Sequence, residues 1–252
     1  MKDLFSVAGK KAIVTGAARG LGRGMAQGFH DAGVELALID VSDGIHAVAK
    51  EMGALGPRVI AIQADLSHRD ELRRAFNESV AGLGGLDILL NNAGITRWSQ
   101  AEEMSEADWD IVLEVNLNAV FWLAQLAGQH MLKQGHGKIV NIASLLSFGG
   151  GYLTVGYAAS KGGVAQMTKA LANEWSRKGI NVNAIAPGYM ATEMNIPLMQ
   201  DPARNKLIMD RVPAGRWGLP EDLVGALIFL SSAASDYVHG ILLPVDGGFL
   251  AR

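Results

Sequence analysis

The chain has 252 residues, 49% of them hydrophobic, which is enough to bury a large core. Its formal net charge of −3 and the lack of a Lys/Arg-rich run leave no electrostatic footprint for nucleic acid or an anionic membrane, so neither partner is expected. The absence of cysteine excludes disulfides, thiolate metal ligands and a cysteine nucleophile. The six histidines show no HExxH spacing, so no metal site is predicted. Because the N-terminus has no apolar signal-like segment, we expect a cytoplasmic protein.

Short β-branched runs alternate along the chain with longer segments of helical periodicity. Repeated strand-helix-strand units favour right-handed crossovers and a mostly parallel sheet, which predicts a doubly wound α/β fold. The predicted strands, in chain order, are KKAIVT, VELALID, RVIAIQAD, LDILLNN, GKIVNIAS, INVNAIA and GILLPVD. The predicted helices cover about residues 20–32, 43–54, 67–82, 105–133, 156–178 and 220–234.

No linker, low-complexity tract or repeat interrupts this alternation, so residues 1–252 are predicted to form a single domain. The run SHRD, which starts at Ser67, resembles a capping box and predicts a helix start there. One segment, at about residues 188–218, is rich in proline and methionine and contains no clean strand. Long irregular segments in compact domains are usually functional, so we predict a substrate loop or lid, with a variable surface loop as the alternative.

The first predicted strand is followed by TGAARGLG, which opens directly into a predicted helix. Gly16, Gly20 and Gly22 would allow a tight turn and a close backbone approach to a pyrophosphate, which the positive end of the helix attracts. The spacing does not match G-x-G-x-x-G, because Ala18 and Leu21 occupy its second and third glycine positions. The glycine content of this run alone fits an ordinary turn as well as it fits a nucleotide-binding site.

Aspartates end the second and third predicted strands. Asp40 stands near the position where dinucleotide-binding folds place an acid on the adenosine ribose hydroxyls. A carboxylate there repels a 2′-phosphate and favours NAD over NADP, whereas Arg19 would bind such a phosphate and argues weakly the other way. At the same sheet edge, Asp65 or the Leu66 backbone would meet the adenine, although a turn-forming aspartate is an equal alternative.

Tyr157 and Lys161 stand four residues apart in VGYAASKGG, so a helix would place both on one face. The pair alone also fits an ordinary helix surface. Ser144 follows a predicted strand at its carboxyl end, where open α/β sheets bind ligands, although a capping or loop serine fits as well. Asn116 lies inside a predicted helix, where asparagine is unfavourable, and Asn118 is its nearest alternative.

The chain also contains NNAG at 91–94 and PG at 187–188. With these motifs and those described above, which span essentially its whole length, the chain resembles the classical short-chain dehydrogenases/reductases. The resemblance implies a Rossmann fold with a seven-stranded parallel sheet flanked by helices, usually assembled as a homotetramer, and a glycine pattern TGxxxGxG that this chain matches. The strings NIASLLSF, ANEW, NVNAIAPGYMAT, PAGRWGLP, SDYV and VDGGFLAR are similar to the branch that oxidises 2-keto-3-deoxy sugar acids, with the 2-keto-3-deoxygluconate 5-dehydrogenases nearest. The family motifs, in order, are TGAARGLG, Asp65, NNAG at 91–94, Asn116, Ser144, Tyr157 with Lys161, and PG at 187–188.

The resemblance implies a catalytic role for four residues. Tyr157 would remove the hydroxyl proton as hydride leaves for the nicotinamide, and Lys161 would lower the pKa of that phenol and hold the nicotinamide ribose. Ser144 would bind the substrate oxygen, and Asn116 would hold a water in a proton relay. The cofactor-binding residues implied in the same way are Gly16, Arg19, Gly20, Leu21, Gly22, Asp40, Asp65, Leu66, Asn91, Asn92, Ala93, Gly94, Tyr157, Lys161, Pro187, Gly188 and Thr192.

A sugar acid needs a cation for its carboxylate, because burial of an unpaired carboxylate is costly. Arg97, just beyond NNAG, is the first candidate. Arg252 is the second, since family tetramers can bring the C-terminal tail of one subunit towards a neighbouring active site. Ser147 is a candidate for the sugar hydroxyls, and Ser144 and Tyr157 for the reacting oxygen.

The hypothesis is therefore an NAD-dependent short-chain dehydrogenase. It would transfer hydride between NAD and a secondary hydroxyl of a 2-keto-3-deoxy sugar acid of the gluconate, rhamnonate or fuconate type. An NADPH-dependent 3-oxoacyl-carrier-protein reductase is the alternative enzyme, and Asp40 opposes it. A non-catalytic nucleotide-binding module is the alternative of another class, which the complete set of four catalytic-type residues opposes.

Overall fold

The computed structural model describes residues 3–252 and has one seven-stranded sheet at its centre. Its strands are β1 (Lys11–Thr15), β2 (Glu35–Asp40), β3 (Val59–Gln63), β4 (Ile88–Asn91), β5 (Gly137–Ile142), β6 (Ile180–Pro187) and β7 (Leu242–Val245). The strand order is β3-β2-β1-β4-β5-β6-β7, and every pairing is parallel. This confirms the predicted doubly wound α/β fold. Six strands lie inside the runs predicted for them, and β6 extends one residue further, to Pro187.

Helices cover both faces of the sheet, as strand-helix-strand connections require. Each of the first three helices begins within two residues of the predicted start. The α-helices in the described residues are α1 (Gly20–Asp31), α2 (Ile45–Met52), α3 (Arg69–Leu83), α4 (Glu106–Leu113), α5 (Ala119–Gln134), α6 (Val155–Trp175), α7 (Ile196–Gln200), α8 (Pro202–Met209) and α9 (Val224–Ser231).

The core consists of two apolar layers, one on each side of the sheet. Successive side chains of a strand point to opposite faces, so Ala12 and Val14 of β1 pack with α1, α2 and α9, while Ile13 packs with α3, α5 and α6. Phe29 of α1 and Leu123 of α5 are nearly completely buried on opposite sides. Burial on both faces explains why the strands are near-continuous apolar runs.

A widened, π-type turn at Glu114–Asn118 joins α4 to α5, so the helix predicted at 105–133 is one continuous helical segment. By length and composition alone, Glu106–Gln134 is the one helix in the described residues that passes the test for a membrane span. Its residues Ala119, Leu123 and Ala127 instead pack into the core beside the sheet. The apolar character of this helix is therefore explained by its place in the fold.

The segment 188–218, which we expected to be irregular, contains the short helices α7 and α8. Asp201 starts α8 by accepting hydrogen bonds from the backbone N–H groups of Ala203 (3.0 Å) and Arg204 (3.1 Å), and Pro202 occupies a first-turn position. The segment is therefore partly helical, because prolines suit the first turn of a helix. Its role as a substrate loop or lid stays a prediction.

Candidate active site

A cleft of about 1160 Å³ opens at the carboxyl ends of the strands. The order of winding reverses between β1 and β4, and open α/β sheets bind ligands at such a switch point. The cleft brings together most of the residues predicted from the sequence. Those that line it are Gly16, Arg19, Gly20, Leu21, Gly22, Asp40, Asp65, Leu66, Asn92, Ala93, Gly94, Arg97, Ser144, Tyr157, Lys161, Pro187, Gly188 and Thr192.

The backbone after β1 has the conformation that a pyrophosphate site requires. Gly16 (φ +65°) and Gly20 (φ +55°) adopt a conformation that other residues rarely take. A Cβ on Gly16 would lie 2.9 Å from the Cα of Ala93, and one on Gly22 would collide with the Gly16 carbonyl. Helix α1 begins here with no side-chain cap and no acidic residue in its first turn, so its first N–H groups are left for a ligand. These features fit a dinucleotide pyrophosphate.

The two asparagines of NNAG have different positions. Asn92 Nδ2 donates to the carbonyls of Thr15 (2.9 Å) and Gly16 (3.1 Å) and so ties the loop after β4 to the glycine turn. Asn91 is buried in the core and donates to Asn141 Oδ1 at 3.0 Å. The expectation that Asn91 lines the cofactor groove is wrong, because β4 still includes this residue and directs its side chain into the interior.

Charges of both signs stand at the nucleotide end of the cleft. The Asp40 carboxylate accepts hydrogen bonds from the backbone N–H groups of Ala18 and Ser42, both at 2.9 Å, which hold it against the glycine turn. Arg19 Nη1 lies 2.7 Å from Glu193 Oε2, and both side chains are exposed. This ion pair joins the glycine turn to the segment that follows β6.

Asp65 forms the local turn that was the alternative to adenine binding. Its carboxylate accepts hydrogen bonds from the backbone N–H (2.9 Å) and hydroxyl (2.7 Å) of Ser67. Burial raises the pKa of the Asp65 carboxyl, but these hydrogen bonds and the nearby His68 outweigh it and hold the pKa below its ordinary value. The predicted capping box is wrong, because Ser67 serves Asp65, and α3 begins at Arg69 with no side-chain cap.

Helix α6 presents Tyr157 and Lys161 to the cleft, beside Ser144 at the end of β5. Lys161 Nζ lies 5.6 Å from the centroid of the Tyr157 ring and donates a hydrogen bond of 2.7 Å to the Ile142 carbonyl. The lysine is only 3% exposed. Burial lowers its pKa from 10.5 to about 8, because the interior disfavours the charged form.

The expectation that Lys161 lowers the pKa of the phenol is wrong for the protein alone. Burial is the largest effect on Tyr157 and raises its pKa above 10.0, and the Ser144 hydroxyl only partly offsets it. Lys161 is itself buried and directs its ammonium to the Ile142 carbonyl. Burial therefore disfavours the charged form of both side chains, the phenolate of Tyr157 and the ammonium of Lys161.

Asn116 lies in the widened turn between α4 and α5 and is fully buried. Its Oδ1 accepts from the Ile95 N–H and its Nδ2 donates to the Ile95 carbonyl, both at 2.8 Å, with a further bond of 3.2 Å to Ser160 Oγ. The side chain thus fixes the loop after β4 beside α6. Asn118 instead donates to Glu114 within its own helix. Widened turns of this type are frequent at functional sites.

The three substrate candidates beyond the catalytic group differ in position. Arg97 lines the cleft, but its Nε lies 3.0 Å from Asp108 Oδ1 in an ion pair. Ser147 donates its hydroxyl to a backbone carbonyl of α6 at 2.7 Å. Arg252 donates to the Asp210 carbonyl at 2.8 Å. Within residues 3–252, the cleft lining does not include Ser147 or Arg252.

One wall of the cleft was not predicted from the sequence. Arg204, Leu207, Ile208 and Arg211 all line the cleft, and they stand at positions i, i+3, i+4 and i+7, the spacing of one helix face. Tyr189, two residues after the end of β6, lines the cleft near them. The spacing in ARNKLIMDR was a usable signal, but it lay within the segment that we expected to be irregular.

Comparisons with known proteins agree with this geometry. The family model "short chain dehydrogenase" matches residues 10–203. The 2-dehydro-3-deoxy-D-gluconate 5-dehydrogenase of Escherichia coli (strain K12) is 49% identical over 249 residues, which are 98% of either chain. These two findings confirm the resemblance predicted from the motifs.

Solved structures of similar chains show the same fold. A protein from Beutenbergia cavernae, provisionally assigned as an NAD(P)-dependent gluconate 5-dehydrogenase and holding NADP at low occupancy, is 45% identical, with a TM-score of 0.95 and coverage of 99% of this chain and 100% of that one. A gluconate 5-dehydrogenase from Burkholderia cenocepacia J2315, in complex with NADP and tartrate, is 39% identical, with a TM-score of 0.94 and coverage of 99% and 98%. The chain therefore belongs to the short-chain dehydrogenase family of nicotinamide-dependent oxidoreductases.

Proposed function

We propose that this protein is an NAD-dependent dehydrogenase that oxidises a secondary hydroxyl of a 2-keto-3-deoxy sugar acid of the gluconate, rhamnonate or fuconate type. The observation that carries the proposal is the meeting of Tyr157, Lys161 and Ser144 in the cleft that also contains the glycine turn. The substrate class is supported by the 49% identity to an enzyme named for 2-dehydro-3-deoxy-D-gluconate, the same compound class.

In this proposal three side chains handle the proton. The Tyr157 phenolate accepts the hydroxyl proton of the substrate, and Ser144 donates a hydrogen bond to the same oxygen. Burial raises the pKa of this phenol in the protein alone, so the proposal requires the ammonium of Lys161, on the same helix face, to favour the phenolate form when cofactor and substrate are bound. When bound, the oxidised nicotinamide supplies the hydride acceptor. Asn116 keeps the loop beyond β4 in place next to these groups.

The choice of NAD over NADP is supported by the charge at the end of β2. The Asp40 carboxylate is held by two backbone N–H groups and lines the cleft, where a 2′-phosphate would meet a like charge. Arg19, which would favour that phosphate, is engaged by Glu193. Related structures contain NADP, so the relative kcat/KM for the two cofactors is the decisive measurement.

A substrate panel tests the proposal. The purified protein is assayed for NADH and NADPH formation with 2-keto-3-deoxy-gluconate, -rhamnonate and -fuconate, and for the reverse reaction with an acetoacetyl thioester. We expect turnover of at least one sugar acid with NAD, and its loss in Tyr157→Phe. Turnover of the thioester alone would overturn the proposal in favour of the carrier-protein reductase, and silence across the panel would favour a binding module.

We also propose a cytoplasmic homotetramer, as the family resemblance implies. Light scattering of the purified protein at assay concentration measures the mass directly. A chain of 26.7 kDa that remains a monomer there would contradict this part of the proposal.

A further inference from the structure

One face of α8 and the residues just beyond it form a cleft wall of unusual composition. Arg204 and Arg211 stand at its ends, with Leu207 and Ile208 between them, and all four line the cleft. Arg204 lies in the first turn of α8 and Arg211 lies two residues beyond its last residue, Met209; the rise of a helix continued over this spacing of seven residues corresponds to about 10 Å. The long side chains of two arginines at this separation can approach one anion from both sides.

These two arginines differ from the other arginines of the cleft in their pairing. Arg19 is paired with Glu193 at 2.7 Å, and Arg97 with Asp108 at 3.0 Å. Within residues 3–252, Arg204 forms no ion pair, and neither does Arg211. The wall therefore presents two uncompensated positive charges to the cleft.

The acidic groups that neighbour the two arginines are already engaged. The Asp201 carboxylate caps the N-terminus of α8 by accepting backbone N–H groups. Asp210 Oδ2 lies 2.6 Å from Lys206 Nζ. Neither carboxylate is thus left to neutralise the wall, and an anion from outside the chain is the group that completes it.

Aromatic rings orient both guanidinium groups. Arg211 Cζ lies 4.2 Å from the centroid of the Phe249 ring, and Arg204 Cζ lies 5.4 Å from that of Tyr152. A planar guanidinium that rests on a ring keeps its N–H donors for a planar carboxylate. The contacts come from three separate parts of the chain and hold the donors in place before a ligand arrives.

The wall faces the end of the cleft where the reaction would take place. Tyr189 stands two residues after the end of β6, and burial raises the pKa of its phenol while Arg211 and Arg204 act to lower it. The charges of both arginines are therefore felt at the residue next to Gly188, which lines the cleft with Tyr157.

We propose that Arg204 and Arg211 together bind the carboxylate of the sugar-acid substrate and so select acids over neutral sugars. The proposal rests on the sugar-acid dehydrogenase function proposed above. The two arginines take the place of Arg97 as the predicted partner of the substrate carboxylate, because Arg97 already has a carboxylate partner in Asp108. The carboxylate and the reacting hydroxyl lie on different parts of such a substrate, which suits a cleft that is lined by both the wall and Tyr157.

The test compares a 2-keto-3-deoxy sugar acid with its primary amide, which keeps the hydroxyls but loses the charge. In Arg204→Gln and Arg211→Gln we expect kcat/KM for the acid to fall by about 10-fold each, mainly through KM, and by about 10²-fold or more in the double variant. The values for the amide should change by less than about 2-fold. Arg204→Lys and Arg211→Lys should recover part of the loss, because they keep the charge.

The matched control is Arg73→Gln, which removes an exposed arginine of α3 outside the cleft. A thermal-shift measurement with tartrate and NAD adds a readout that needs no turnover: tartrate should raise the Tm of the wild type and of Arg73→Gln, but not of the double variant. Equal losses on acid and amide, or no loss on the acid, would overturn the proposal. If the wild type oxidises neither compound, the proposed function fails, and the tartrate shift still decides whether this wall binds carboxylates.

Discussion

Replacement of Lys161 by methionine should make the protein less active and change how its stability depends on pH. The side chain is 3% exposed, and burial lowers its pKa from 10.5 to about 8. This difference in pKa between the unfolded and folded states means that burial of the ammonium lowers the stability by about 3 kcal/mol at neutral pH. Methionine fills a similar volume without that cost, although it leaves the Ile142 carbonyl without its 2.7 Å donor.

The sign follows from proton binding in the two states. Between about pH 8 and pH 10.5 the unfolded chain holds a proton on Lys161 that the folded protein does not. Stability increases with pH wherever the unfolded state binds more protons, so this lysine costs most below pH 8, and its cost disappears towards pH 10.5. The methionine variant has no such group and lacks this contribution.

Urea unfolding of both proteins at pH 7 and pH 9.5, at one protein concentration, measures the effect. From pH 7 to pH 9.5, we expect the unfolding free energy of the wild type to increase by about 2 kcal/mol relative to that of the Lys161→Met variant. The lost hydrogen bond to Ile142 shifts the variant equally at both pH values and does not affect this difference. Parallel pH curves for the two proteins would refute the argument that burial depresses the pKa of the lysine.

Three further predictions concern the same cleft. Tyr157→Phe should keep NAD affinity and lower kcat by about 10²–10⁴-fold, measured by NADH formation and by titration with NAD, because the general base is lost; wild-type turnover would contradict its role. Asp40→Asn should shift the ratio of kcat/KM from NAD towards NADP by about 10-fold or more, since a like charge next to the 2′-phosphate is removed; an unchanged ratio would show that Asp40 does not set cofactor choice. Gly22→Ala should lower the unfolding free energy by about 1–3 kcal/mol, because its Cβ collides with the Gly16 carbonyl. The control Gly225→Ala, whose Cβ would meet no atom within 4 Å, should be neutral or stabilising, and equal losses in both variants would count against the collision.

The fold was predictable because its signals are local and repeated. The inner strands β1, β2 and β4 are apolar runs buried on both faces, so their pattern is visible in the sequence whatever the tertiary context. The glycine turn was ambiguous by spacing alone, and the matched family pattern was needed to interpret it. The start of α3 shows the limit of prediction from sequence. Ser67 appeared to cap this helix, but its backbone N–H and hydroxyl donate to the Asp65 carboxylate, in a turn that forms only in the folded chain.

The electrostatics of the site were less predictable, because they depend on burial and not on residue type. From the sequence, a lysine four residues from a tyrosine lowers the phenol pKa, as charges of opposite sign do. In the structure burial acts on both groups first, raising the pKa of Tyr157 and lowering that of Lys161. Desolvation of this kind leaves no trace in spacing or composition.

The cations of the substrate site illustrate the same limit. Arg97 was favoured because it follows NNAG, but nearness in sequence to a motif does not reveal its partner Asp108. Arg204 and Arg211 lie in a segment whose prolines suggested irregular chain, and only the folded structure shows that Arg204 of α8 and Arg211, two residues beyond that helix, both line the cleft. A cation that binds substrate must be both directed into the site and free of an internal partner. Residue type and spacing address the first condition, whereas the second requires the folded neighbours of every charge. For this reason Arg204 and Arg211 fit the role better than Arg97, which stands next to the motif.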